Sequence, residues 1–175
     1  GSVSAPHAIE GRAGLARALA RTDCDADALV AALGREWNTM RVAFKPFPVC
    51  AFNQTPVTCA LALREEIGAA AVAAVEVRMN PYETGYAGMD AYGPFSSISG
   101  TLMSIPFCIA TTLARGAPTM AHMTDYDDAA VNALEQRVVL VADETIPVLS
   151  CRIAAKLDDG RVLERYQHME PADYA

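Results

Sequence analysis

The chain has 175 residues, of which 52% are hydrophobic and 20% charged, and its formal net charge is −7. That length suits one domain, or one domain with part of a neighbour, and the apolar share supports an ordinary core rather than wholesale disorder. An acidic chain without a basic cluster is a poor partner for nucleic acid or an anionic membrane, and no apolar run approaches the roughly 18 to 20 residues of a membrane span.

The opening Gly1-Ser2 has the look of a cleavage scar, which suggests an excised piece. Glycines at 11 and 14 form a turn that runs into a short helix over residues 15–20. Asp25 or Asp27 then caps a second helix through Leu33, with Gly34 as its stop. Residues 40–45, Met-Arg-Val-Ala-Phe-Lys, alternate and predict a strand that ends at the turn Lys45-Pro46-Phe47-Pro48. Thr55-Pro56 predicts a helix start, a hydroxyl at the cap and proline at the first helical position, with Gly68 as its end. Residues 75–79, Val-Glu-Val-Arg-Met, alternate strictly and predict a strand with one wet face.

Residues 80–95 hold three glycines, two prolines and three tyrosines, a long loop that would line an access path, meet another subunit or simply pack. From Ser96 or Ser97 to Arg115 the spacing of Leu102, Ile105, Ile109 and Leu113 predicts a long helix closed by Gly116. Pro106 either kinks it or divides it in two. Asp127 or Asp128 begins a helix containing Val131 and Leu134. Residues 138–141, Val-Val-Leu-Val, predict a strand covered on both faces, and residues 148–157 and 161–166 flank the hairpin turn Asp158-Asp159-Gly160. This order is mixed rather than alternating β-α-β. The fold class expected is therefore α+β: two layers, a mostly antiparallel sheet packed against helices.

Five cysteines, Cys24, Cys50, Cys59, Cys108 and Cys151, lack a CxxC pair and fit reduced thiols in a cytoplasm. His7, His122 and His168 form no HxxxH or HExxH unit, so no metal site is expected. Gly85, Gly88 and Gly93 do not spell a nucleotide loop. Cys50 lacks a neighbouring base in sequence and reads as a small buried residue rather than a nucleophile. Asp127-Asp128 and Asp158-Asp159 read as a helix cap and a turn, not as catalytic carboxylate pairs.

Four segments carry a resemblance. Lys45-Pro46-Phe47-Pro48-Val49-Cys50-Ala51-Phe52-Asn53-Gln54-Thr55-Pro56 resembles the K-P-Y-P-C-C-x-x-x-H-P segment of the MmgE/PrpD family, which includes 2-methylcitrate dehydratase, cis-aconitate decarboxylase and iminodisuccinate epimerase. Glu10-Gly11 through Gly14 is similar to its L-E-G-x-x-G segment. Ser104-Ile105-Pro106-Phe107 onward is similar to its S-x-x-Y-x-x-A helix, and Leu134 through Val138 to its L-x-x-R/K-V junction.

The resemblance implies two domains in the parent protein: a large helical one and a smaller α+β lid that closes over the site. Residues 1–35 would be a remnant of the helical domain and its connection, and residues 36–170 the lid. It implies a cofactor-independent lyase or isomerase, of the dehydratase, decarboxylase or epimerase type, acting on a small carboxylic acid. Its catalytic residues would lie on the absent helical domain, and the parent would be a homodimer. Neither a metal nor a cofactor is expected.

Lys45 matches the family lysine that reaches the cleft from the lid, so the substrate-binding candidates are Lys45, Gln54, Ser104 and Phe107. Gln54 stands where many members have histidine, and an amide does not titrate near neutral pH. Phe107 stands where others have tyrosine, which removes a phenolic donor. The plainer reading makes Gln54 a helix cap and Phe107 core. The competing functional reading is a non-catalytic binding or assembly module derived from the lid.

Overall fold

A computed structural model describes residues 3, 5–170 and 173; Gly1-Ser2 lies outside them. The chain divides into two compact units, Gly1–Val42 and Ala43–Ala175. In the first, a π-helical turn spans Ala16–Ala20. Helix α1 spans Ala26–Val30, and its cap is Asp25, whose carboxylate accepts the Ala28 N–H at 3.0 Å. A 3-10 turn, Asn38–Arg41, closes the unit.

The strand predicted over residues 40–45 does not form. The backbone turns at Asn38–Arg41 and then runs unpaired, and Phe44 is 74% exposed. Alternation supplies a strand's two faces but not its neighbour, and no strand of the sheet pairs with this segment.

The second unit is built on four strands, β1 (Val72–Met79), β2 (Val138–Ala142), β3 (Ser150–Leu157) and β4 (Val162–His168), in the order β2-β1-β3-β4. β1 is parallel to β2 and antiparallel to β3, and β3 is antiparallel to β4. The sheet is thus mostly antiparallel, as expected. Val75, Val77 and Met79 of β1 face inward with Cys151, Ile153, Ala155 and Leu157 of β3, all buried, while Glu76, Arg152 and Lys156 face outward. β3 and β4 join through Asp158-Asp159-Gly160: Gly160 takes φ +87°, and the Leu157 N–H donates to the Arg161 carbonyl at 2.8 Å.

On one face of the sheet lie α2 (Ala51–Ile67), α3 (Pro81–Thr84), α4 (Ile98–Met103), α5 (Ile105–Arg115), α6 (Met120–Thr124) and α7 (Ala129–Glu135). α2 packs on β3, β4 and α5, and α5 packs on α7 and β2. Val57, Leu63, Ile105, Phe107 and Ile109 from the two main helices meet the strand side chains in one cluster. Burying a side chain of that size contributes roughly 1.5 to 3 kcal/mol.

Two further expectations, the start of α2 and the cover of β2, need correction. α2 begins at Ala51, not at Pro56, which sits within it. Of the two outcomes that Pro106 allowed for the long helix, the structure shows the division: two helices meet at Ser104, with Pro106 in the first turn of the second, where its missing N–H leaves nothing unpaired. β2 is an edge strand rather than one covered on both faces: Val138 is buried, but Val139 is 55% exposed. Two short helices add to the expected elements, α3 inside the Tyr-rich loop and α6 capped by Thr119. No described helix is long and apolar enough to cross a membrane.

Candidate functional site

The turn that carries Lys45 has an unusual hydrogen-bond problem. Prolines at 46 and 48 supply no N–H, so the backbone offers few donors to its own carbonyls. The side chain of Gln54, on the first turns of α2, makes up the deficit. Its Oε1 accepts the Phe47 N–H at 3.1 Å, and its Nε2 donates to the carbonyls of Phe47, Val49 and Cys50 at 3.0, 3.1 and 3.3 Å. The remaining N–H groups are used as well: Val49 donates to Phe47 O, and Cys50 donates to Leu102 O at the end of α4. Gln54 is wholly buried, and both of its N–H groups are committed to this backbone.

Lys45 is exposed, and its Nζ donates to the Val49 carbonyl at 3.0 Å. Val49 immediately precedes Cys50, the N-cap of α2, which makes no side-chain capping bond. The ammonium therefore sits beside the positive end of a 17-residue helix, and two positive partial fields converge on one solvent-facing corner.

Ser104 and Phe107 lie behind this turn, both with no exposure. The Ser104 hydroxyl donates to Ala91 O at 2.7 Å and accepts the Phe107 N–H at 3.0 Å, which caps α5. Phe107 packs edge-on against Phe95, with ring centroids 5.4 Å apart. The structure brings Lys45 and Gln54 together on the Val49 carbonyl. Ser104 and Phe107 join each other by the cap, and neither bonds to Lys45, whose ammonium is directed at Val49. Asn53 ties the two pairs into one frame: its Nδ2 donates to Leu102 O and Met103 O, the residues just before Ser104.

Three features give no signal in the sequence. Phe52, in the first turn of α2, sits between the edges of Tyr82 and Tyr86, at centroid distances of 5.7 and 5.6 Å, so an aromatic cluster borders the Lys45 turn. The tyrosines are visible as a loop feature; their partner Phe52, about thirty residues upstream, is not. Glu83 on α3 is wholly buried, its Oε1 accepting the Leu149 N–H at 3.1 Å while Oε2 has no partner. Burial pushes its carboxyl up to about 7. Glu135, also buried, accepts the Gly93 N–H at 3.1 Å, and its carboxyl is likewise raised by burial. Tyr92, by contrast, is a strut: its hydroxyl donates to the Val138 carbonyl at 2.8 Å.

Cys50 is half-buried, and no histidine hydrogen-bonds it among the described residues. Among those residues no three His, Cys, Asp or Glu side chains are grouped to hold a metal ion. The aspartate pairs do what caps and turns do. Asp128 accepts the Ala130 and Val131 N–H groups at the start of α7, and Asp159 accepts from Arg161 in the hairpin.

What the arrangement offers chemically is an exposed cation on a rigid corner, its ammonium bonded to a carbonyl rather than to a base. The Gln54 clamp from Phe47 onward, the α5 cap and the four-stranded sheet lie within one stretch that matches a known family, and Lys45 stands two residues before that stretch. No curated protein matches the chain, but the family model described as MmgE/PrpD C-terminal domain matches residues 47–171, 125 of its 175 residues. The chain belongs to the MmgE/PrpD family, through that C-terminal domain.

Proposed function

We propose that this domain closes over the substrate of a cofactor-independent lyase or isomerase, of the dehydratase, decarboxylase or epimerase type, that acts on a small carboxylic acid. One observation carries the reading: Lys45 presents an exposed ammonium on a turn whose carbonyls are clamped from within by buried Gln54. The chain has two lysines, Lys45 and Lys156, beside twelve arginines. In a cleft closed by a second domain, water leaves and the attraction between ammonium and carboxylate strengthens several-fold.

In this reading Lys45 holds a substrate carboxylate and steadies the negative charge that develops when a neighbouring C–H loses its proton. The base that removes the proton belongs to the helical domain of the parent, of which residues 1–35 would be the connecting remnant; residues 36–170 would be the lid. Gln54, Ser104 and Phe107 act as the frame that keeps the corner in place. A second reading, a binding or assembly module without catalytic duty, draws on Gln54 and Phe107 standing where the family pattern has histidine and tyrosine.

The test uses the full-length protein. Lys45→Ala should lower kcat/KM on the order of ten- to a thousandfold, the range for a lost charged contact. An unchanged value removes Lys45 from the site. The 175-residue chain alone should show no dehydratase, decarboxylase or epimerase turnover, and measurable turnover by the purified chain would overturn the division of labour.

A further inference from the structure

The carbonyl of Val49 has two lone pairs, and the structure fills both. Gln54 Nε2 donates to it from the buried side at 3.1 Å, and Lys45 Nζ donates to it from the solvent side at 3.0 Å. A carbonyl in a turn bounded by two prolines has no regular ladder to fix its direction. Here the direction is set by an amide that is itself held at four points, one of them as an acceptor from Phe47. The ammonium has three N–H groups. With one bonded to Val49, two remain, the number that suits the two oxygens of one carboxylate.

We infer that Gln54 is a positioning residue for Lys45, acting through the shared Val49 carbonyl and never touching the substrate itself. This rests on the reading of Lys45 as the carboxylate contact, but it concerns a different link and fails by a different measurement. It also accounts for an amide at this position: the task is to donate to several carbonyls at once while accepting from one N–H, a combination that no hydroxyl or carboxylate provides.

The low lysine count makes the test direct. In the 175-residue chain labelled with 13C,15N-lysine and 13C-carbonyl valine, only Lys45 and Lys156 contribute lysine side-chain signals, and Lys156 on β3 serves as the internal control. In the unaltered chain a coupling across the hydrogen bond from Lys45 Nζ to the Val49 carbonyl carbon is expected, with the two Hε protons of Lys45 split. Gln54→Met keeps the length of the side chain and removes all four bonds. It should abolish the coupling and collapse the Hε pair to a single free-lysine position, with the Lys156 signals unmoved.

Lys45 signals that stay in place in a folded Gln54→Met chain would overturn the inference. If that variant does not fold, Gln54→Asn, which keeps the amide but draws it back by one methylene, takes its place with the same two readings, and absence of the coupling in the unaltered chain also overturns the inference. The Lys45→Ala kinetics of the full-length protein report separately on carboxylate binding, so a tethered lysine with no kinetic role would sink the functional reading and leave the Gln54–Lys45 link standing.

Discussion

Replacing Glu83 by glutamine tests the account of the buried core most sharply, because the effect must change with pH in a stated direction. The Glu83 carboxyl has no exposure, and burial raises it from 4.5 to about 7. The neighbouring groups that face it, Cys151 of β3 and through it Cys59 of α2, are thiols, so no cation compensates a charge there. Below about pH 4.5 the folded and unfolded chains both keep the proton, and the group is neutral to stability. As pH rises toward 7 the unfolded chain gives up its proton first, and the folded state is progressively penalised. The interval from 4.5 to about 7, at about 1.4 kcal/mol per pH unit, amounts to about 3 kcal/mol of stability lost by about pH 8.

The glutamine introduced there cannot ionise. It keeps an oxygen for the Leu149 N–H, and its NH2 stands where the protonated acid carries an O–H, both without an acceptor, so the exchange adds little cost of its own and none that varies with pH. Glu83→Gln should therefore match the parent to within about 1 kcal/mol at about pH 4.5 and should gain on it steadily, by about 3 kcal/mol in total, up to about pH 8. Urea melts of both chains across that range, followed by circular dichroism, give the difference directly. Two curves that run parallel would refute the reasoning, because they would mean that Glu83 titrates alike in the folded and unfolded chains.

Two further outcomes follow from the same structure. Asp128 caps α7 and forms a two-pronged ion pair with Arg115 at 2.7 and 2.8 Å, a bond that holds its carboxyl down at about 2. Asp128→Ala should cost about 1 to 2 kcal/mol at neutral pH, and the cost should fade only as pH falls from about 4 through about 2, as read from urea melts. Cys24 and Cys50 are half-buried whereas Cys59, Cys108 and Cys151 are buried, with burial raising the Cys108 thiol. A thiol reagent followed by mass spectrometry should therefore modify two cysteines in the native chain and five after unfolding; five at once would contradict the packing of the helices on the sheet.

The parts of the fold that are legible in the sequence are those written in local chemistry. Strict alternation in β1, the Asp158-Asp159-Gly160 hairpin, the Asp25 and Asp128 caps and the glycines after α2 and α5 each need only a few adjacent residues. The failures share a cause: the deciding partner lies far away or is a side chain. Residues 40–45 alternate as well as β1 does, but they have no strand beside them. Pro56 reads as a first-turn residue and so misplaces the start of α2, whereas the Gln54 amide secures the earlier carbonyls and lets the helix begin at Ala51. At the candidate site the family pattern points to Lys45, Gln54, Ser104 and Phe107, and the plainer reading of Gln54 as a helix cap does not hold: it lies inside α2, whose N-cap is Cys50, and its four backbone bonds go to the turn before the helix. Glu83 is invisible, since nothing in the one-dimensional chain announces that a glutamate beside a tyrosine will lose all contact with water.

The position of β1 in the sheet has a consequence for how the chain is made. Val75 aligns with Val138 and Ala155, both more than sixty positions later in the chain. During synthesis β1 and the apolar side of α2 therefore emerge well before either lateral neighbour exists, and no partial native sheet is available to the nascent chain. Closure must wait for the later strands to leave the ribosome, and until then the apolar sides of β1 and α2 have no completed sheet to cover them.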